Sequence, residues 1–119
     1  MKYLCLIYQE ESLPQKLPKA EFEKIFGEYQ ALSEELRKSG RLLGNNGLQP
    51  TRAATTVRVR DGKVTTTDGP FAETKEQLGG YFLIEAQDLN EAIQIAAKIP
   101  SARFGSVEVR PIWEISSNR

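Results

Sequence analysis

Asp68-Gly69-Pro70-Phe71-Ala72-Glu73-Thr74-Lys75-Glu76-Gln77-Leu78-Gly79-Gly80-Tyr81-Phe82-Leu83-Ile84-Glu85 is the stretch that decides how this chain is organised. It holds a Gly-Pro corner, a polar connector and a Gly-Gly step into an apolar strand. Just upstream, the β-branched runs Thr55–Arg60 and Lys63–Thr67 flank Asp61-Gly62. A two-residue Asp-Gly link between such runs predicts a hairpin, because the tight turn needs positive φ. Downstream, Gly80–Ala86 reads as a strand. Asp88 can cap a following helix, with Glu91 as its capping-box partner. Leu89, Ala92, Ile93 and Ala96 form that helix's expected inner face, and Pro100 ends it. Gly105–Ile115 reads as the last strand, with Val107, Val109, Trp113 and Ile115 on one face. Pro111 removes a backbone donor there, so the strand is expected at an edge or bulged.

Toward the N-terminus, residues 2–8 are apolar on both alternating faces. Leu4, Leu6 and Tyr8 lie on one, Tyr3, Cys5 and Ile7 on the other, as in a central strand covered on both sides. Residues 9–18, with Pro14 and Pro18, read as loop. From Lys19 to Ser39 the spacing of Phe22, Ile25, Phe26, Tyr29, Leu32 and Leu36 marks one helical stripe. Arg37, Lys38 and Gly40 suit the helix's negative end and its stop. Arg41–Gln49 reads as an irregular strand, loosened by Gly44, Asn45, Asn46 and Gly47. The order predicts an α+β fold: a ferredoxin-like β-α-β-β-α-β unit with an inserted β-hairpin. Two helices on one side of such a sheet leave its other face bare, and a second copy is the simplest cover.

Composition narrows the function classes. At 119 residues the chain is expected to be one domain, 1–119. Its 16 basic and 16 acidic residues cancel, which argues against direct nucleic-acid binding. It has no histidine, so any mechanism that needs an imidazole is excluded. One cysteine, Cys5, cannot form an intrachain disulfide, and its apolar neighbours make it a small buried hydrophobe. Without histidine and with one cysteine, no metal and no cofactor are expected. No run of about 18 apolar residues suggests a membrane helix, and the first residues lack a signal-peptide pattern. A bacterial, cytoplasmic protein is the expectation.

At this point the chain resembles the YCII-related family, in its DGPF-domain branch. The resemblance rests on Met1-Lys2-Tyr3-Leu4 through Ile7-Tyr8, Gly47-Leu48-Gln49-Pro50 and Thr55-Thr56-Val57-Arg58. Its core is Asp68 through Gly80, and Gly105 through Pro111 also matches. The resemblance implies a homodimeric α+β barrel of two facing ferredoxin-like units. Some relatives are thought to use a His-Asp pair, and one branch is linked to dehydrochlorination. That dyad does not carry over to a chain without histidine, though Asp68 matches the motif's Asp. Monooxygenases, lactone isomerases and haem-linked proteins share the wider fold, which is analogy alone. Genes of this branch commonly neighbour those for extracytoplasmic-function sigma factors, which suggests a signalling connection.

Several residues are candidates for a site. Asp68 is either a pocket carboxylate acting as general base or a turn residue accepting local backbone hydrogen bonds. Phe71 either packs into core or interface or lines a ligand site. Glu108 and Arg110 share a face of the last strand and form an ion pair or bind a ligand. Tyr3, Tyr8 and Tyr81 are core aromatics or donors of hydroxyls to a pocket. Arg58 and Arg60 read as the wet face of the hairpin. The leading expectation is a homodimeric small-ligand-binding or regulatory module, with Tyr3, Tyr8, Asp68, Phe71, Tyr81, Glu108 and Arg110 at its ligand. The alternatives are a metal-independent enzyme on a small organic molecule with Asp68 as base, and a protein-interaction partner in sigma-factor-linked signalling.

Overall fold

The computed structural model describes residues 1–115. Strands β1 (Lys2–Gln9), β2 (Leu42–Gly47), β5 (Gln77–Glu85) and β6 (Ser106–Pro111) form one antiparallel sheet in the order β2-β5-β1-β6. Helices α2 (Lys19–Lys38) and α3 (Leu89–Ala97) supply the two crossovers. Strands β3 (Thr55–Arg60) and β4 (Lys63–Asp68) form a separate two-stranded sheet. This is the expected ferredoxin-like α+β unit with an inserted hairpin. The order places β1 at the interior of the sheet, as its two apolar faces require.

The core lies on the helix side. Tyr3, Cys5 and Ile7 of β1 and Phe82 and Ile84 of β5 are buried against Leu32 and Leu36 of α2, with Ala92, Ile95 and Ala96 of α3 and Ile99. Each large aliphatic or aromatic side chain among them contributes about 1.5–3 kcal/mol by leaving water. Cys5 is part of this layer, and burial pushes its thiol up to about 11, so it stays protonated and inert at neutral pH. On α3 the buried face runs through Ile95 and not through Leu89 and Ile93, which are exposed. The Asp88 cap turns the helix so that Ala92, Ile95, Ala96 and Ile99 meet the sheet. The Asp88 carboxylate accepts from Glu91 N at 2.9 Å. Glu91 in turn accepts from Gln87 N at 2.9 Å, one residue before the cap.

Other boundaries shift for local reasons. The expected loop 9–18 contains a single helical turn, α1 (Leu13–Lys16). A 3-10 turn, Thr51–Ala53, precedes β3, and another, Pro100–Arg103, follows α3. Strand β5 begins at Gln77, three residues before Gly80, because Leu78 and Gln77 continue the ladder past a bulge at Ile7/Tyr8. Strand β6 lies at a sheet edge and ends at Pro111, where the missing N–H costs no bond to β1, since Pro111 faces Tyr3 and the next residue, Ile112, still donates its N–H to the Lys2 carbonyl at 2.9 Å. Trp113, 88% exposed, and Ile115 therefore lie outside the strand in which they were expected.

Both faces of the hairpin are largely exposed, and Arg60 lies in solvent as expected. Asp61 and Gly62 take φ of 53° and 76°, as the tight turn demands. Val57, Val59 and Val64, however, are 59%, 56% and 68% exposed. Arg58 is half-buried and lies over the Phe71 ring at 5.8 Å. The arm stands away from the body, which raises the radius of gyration to 16.6 Å against about 13.5 Å for a compact chain of this length. Its base is the Asp-Gly-Pro-Phe corner. Gly69 sits at φ 105°, outside the extended region expected before a proline and accessible only to glycine. Gly69 N donates to the Ala54 carbonyl at 2.8 Å, and the Thr56 hydroxyl donates to the Gly69 carbonyl at 2.9 Å.

Gly105 is fixed by close approach. A Cβ there would lie 2.1 Å from the Tyr8 carbonyl oxygen and 3.0 Å from Gln9 Cα. The backbone after the Pro100–Arg103 turn thus presses on the end of β1. Gly105→Ala should lower the free energy of unfolding by about 1–3 kcal/mol, the scale of overpacking. Gly79→Ala, whose Cβ meets nothing within 4 Å, should stay within about 0.5 kcal/mol of wild type. Urea denaturation of both variants checks the contrast; equal stabilities would refute it.

Candidate functional site

The stripe on α2 divides in two. Its C-terminal half, Leu32 and Leu36, is buried in the core, while Phe22 and Phe26 of the N-terminal half remain exposed. Ile25 and Tyr29 between them are half-buried. This overhanging half encloses space on the helix side of the sheet, in two compartments that share Phe26 and Tyr29 as a wall.

The larger compartment is a cleft of about 430 Å³ between α2 and the β2–β5 edge. It exists because side chains are missing from facing strands. Gly47 pairs with Gly80 across the ladder, and Gly79 adjoins them. Gly80 has no room for a Cβ, which would lie 2.9 Å from the Asn46 carbonyl oxygen. Ile7, Phe26, Phe82 and Tyr29 give apolar walls, Asn45 gives a side-chain amide, and Asn46, whose own amide turns to Tyr81 on the other sheet face, gives backbone. The Asn45 amide donates to Ser33 Oγ at 2.9 Å, and Ser33 donates to the Tyr29 carbonyl at 2.9 Å, which ties β2 to α2.

The smaller compartment is a cavity of about 170 Å³ at the other side of Tyr29. Leu13, Leu17, Phe22, Ile25 and Phe104 make it apolar. Its polar end is a chain of three side chains. Ser101, 4% exposed, donates its hydroxyl proton to Gln9 Oε1 at 2.8 Å and also bonds the Tyr29 hydroxyl. Serine has one proton to give, so Tyr29 is the donor to Ser101. Burial raises the Tyr29 pKa, with partial offset from Ser101 and the Arg103 charge. The phenol is therefore neutral at physiological pH.

The α1 segment covers this cavity and is tethered from outside. The Glu11 carboxylate accepts from Thr51 N at 2.7 Å and from the Thr51 hydroxyl. Those two hydrogen bonds hold the Glu11 carboxyl below the usual carboxylate range. Glu10 adds long ion pairs to Lys16 and Lys75.

The candidates expected from sequence lie elsewhere. Tyr3 is a core residue on the helix side, its hydroxyl 3.8 Å from Met1 Sδ, so it offers no hydroxyl to a cleft. Tyr8, Tyr81, Glu108 and Arg110 share the open sheet face. Leu6 sits between Tyr81 and Glu108 in the ladders, and Leu4 faces Arg110. Glu108 and Arg110 form an ion pair, with Arg110 Nε donating to Glu108 Oε2 at 2.8 Å. Tyr81 accepts from the Asn46 amide at 3.0 Å. Asp68 is exposed at the end of β4 and, among the described residues, its carboxylate accepts no hydrogen bond. The corner is closed instead at Gly69, whose N–H donates to the Ala54 carbonyl and whose carbonyl accepts from the Thr56 hydroxyl. Phe71 is 79% exposed beneath Arg58. None of the seven lines either compartment.

Sequence reasoning missed Gln9, Tyr29 and Ser101 as a group. Tyr29 carried the one signal, a hydroxyl in an otherwise apolar stripe. Nothing local marks Gln9 or Ser101, which lie 92 positions apart. Among the described residues, no group of three or more His, Cys, Asp or Glu side chains is placed to hold a metal ion. No helix of the described residues is long and apolar enough to cross a membrane.

Comparison with known proteins adds a family. The model of the YCII-related domain matches residues 1–116. An uncharacterized protein of Rhizobium meliloti (strain 1021) is 40% identical over 114 residues, covering 94% of this chain and 92% of that protein. Among solved structures, the chain is similar to 5-chloro-2-hydroxyhydroquinone dehydrochlorinase from Burkholderia phenoliruptrix AC1100, in complex with 2,5-dihydroxybenzoquinone. That likeness has a TM-score of 0.57 at 14% identity and covers 99% of this chain and 98% of the other. At that identity it speaks for the fold.

The Glu11 tether gives a pH-dependent expectation. A carboxyl held below its unfolded value stabilises the fold above the usual carboxylate range, and that stabilisation is lost as pH falls through the lowered value. Thr51→Val removes the hydroxyl donor and should raise the Glu11 pKa toward its ordinary value. Carboxyl-resolved NMR titration of wild type and variant reads this directly; identical curves would show that Thr51 does not hold Glu11.

Proposed function

The chain belongs to the YCII-related family, and we propose that it is a homodimeric small-ligand-binding module of that family's DGPF branch. The reading takes residues 1–119 as one domain of a cytoplasmic protein. The observation that carries it is the 430 Å³ cleft between α2 and the sheet. Its size falls in the range of small-molecule sites, and its lining is apolar with one fixed side-chain amide, Asn45. Among the described residues, Tyr29 is the one ionisable side chain that lines it, with no Asp, Glu, Lys or Arg in its walls. Such a lining favours retention of a neutral ligand over acid–base turnover. The flat, side-chain-free strip at Gly47, Gly79 and Gly80 suits a planar ring. Small oxygenated rings are the first class to test, since the dehydrochlorinase of similar fold was solved with one.

Homodimerisation follows from the open sheet face. Leu4, Leu6, Tyr8 and Leu83 are only half-buried there, and the exposed valines of the hairpin extend the uncovered apolar surface. A facing copy would convert the two sheets into a closed barrel and place Glu108, Arg110 and Tyr81 at its interior. A second reading, a docking partner for another protein in sigma-factor-linked signalling, is favoured by the projecting arm and by exposed Phe71 and Trp113. An enzyme with Asp68 as base has less support, because Asp68 lies on an exposed corner outside both compartments.

Two measurements test these readings. Calorimetric titration with 2,5-dihydroxybenzoquinone and related small rings should show saturable binding that Gly79→Leu abolishes. A Cβ at Gly79 meets nothing within 4 Å, so that side chain can enter the cleft without displacing backbone. Unchanged binding in the variant, or none in wild type across the series, would refute the cleft as the site. Separately, sedimentation should show a dimer burying more than about 1,000 Å², and Leu6→Glu should yield monomer. A wild-type monomer at micromolar concentration would overturn the dimer.

A further inference from the structure

The 170 Å³ cavity on the far side of Tyr29 is not explained by a ligand in the cleft. Its walls are Leu13, Leu17, Phe22, Ile25, Phe26 and Phe104, from α1, α2 and the end of the second 3-10 turn. An engineered apolar cavity of about 150 Å³ lined by Leu, Ile and Phe takes up benzene. A space of 170 Å³ therefore holds one six-membered ring.

The polar end selects the substituent. Tyr29 gives its proton to Ser101, and Ser101 gives its own to Gln9 Oε1. The chain of donors therefore runs one way. It leaves the Tyr29 oxygen, beside the Ser101 backbone N–H, with one lone pair to accept a bond, and among the described residues Gln9 Nε2 has no partner for its two protons. A hydroxyl can donate to the first and accept from the second. A carboxylate would meet the Tyr29 lone pair, and among the described residues no cationic side chain lines the cavity to offset its desolvation.

We propose that this cavity is a second binding site, for a neutral monocyclic alcohol of which phenol is the simplest member. The ring fills the apolar space and the hydroxyl bridges Tyr29 and Gln9. The site is separate from the cleft and stands whatever the cleft binds.

Amide NMR titrations of the full chain with phenol, toluene and benzoate test it. Phenol should shift the Leu17, Ser101 and Phe104 signals saturably and bind about tenfold more tightly than toluene, the effect of one retained hydrogen bond. Benzoate should leave those signals in place. Leu17→Trp, which fills the cavity, should remove phenol binding, while Gly79→Leu should leave it intact. Tyr29→Phe keeps the ring and removes the acceptor, so phenol should lose its advantage over toluene. The proposal falls if phenol gives no saturable shift, binds no better than toluene, or is matched by benzoate. It falls equally if phenol binding survives Leu17→Trp or its advantage survives Tyr29→Phe.

Discussion

Strand β1 carries six apolar side chains in the six consecutive positions from Tyr3 to Tyr8. Because successive residues of a strand point to opposite faces, no single layer can bury them all. Tyr3, Cys5 and Ile7 take the helix side and nucleate the core. Leu4, Leu6 and Tyr8 are left facing outward, beside Tyr81 and Leu83. The strand must therefore run through the interior of its sheet, the helices must share one side, and the other side must find a cover. The position of β5 and β6 on its two flanks and the open face that argues for a second copy are both consequences of that one run.

The helix side is governed by a length mismatch. Helix α2 spans 20 residues, about 30 Å at 1.5 Å per residue. Only its C-terminal half lies over side chains large enough to meet it. Over the Gly47, Gly79 and Gly80 strip and beyond the end of β1, the same apolar stripe has nothing beneath it. The cleft and the cavity are the space left over, divided by Phe26 and Tyr29. Ser101 closes the end of the smaller one through Gln9, and the contact of Gly105 with the Tyr8 carbonyl holds that end of β1 in place.

The fold was legible because its determinants are periodic or local. Alternation on β1, the three-and-four spacing on α2, the Asp61-Gly62 turn and the Asp88 cap each depend on neighbouring residues alone. What was not legible depends on residues far apart in the chain. The stripe from Phe22 to Leu36 has one period throughout, so nothing in it separates core from cavity wall. The inner face of α3 was misassigned to Leu89 and Ile93 because several apolar stripes fit so short a helix, and the sheet chose the one through Ile95. Asp68 was expected to close its corner because Asp commonly does so. Here Gly69, at a backbone angle other residues avoid, is held by Ala54 and Thr56 from the opposite strand. The Gln9–Ser101–Tyr29 chain joins three distant segments and has no motif.

The paired glycines at Gly47 and Gly80 also set a mechanical property. Where two strands face each other without side chains, only the ladder hydrogen bonds hold them, and the cross-strand contacts that normally add to sheet stability are missing. Strand β2 is itself an edge, with no neighbour on its outer side. Its last residues are thus a region of low opening free energy, able to separate from β5 while the core around Cys5 and Ile84 stays closed. The mouth of the cleft is in this sense a compliant hinge line, and its width is a fluctuating quantity set by the backbone and not by any gate residue.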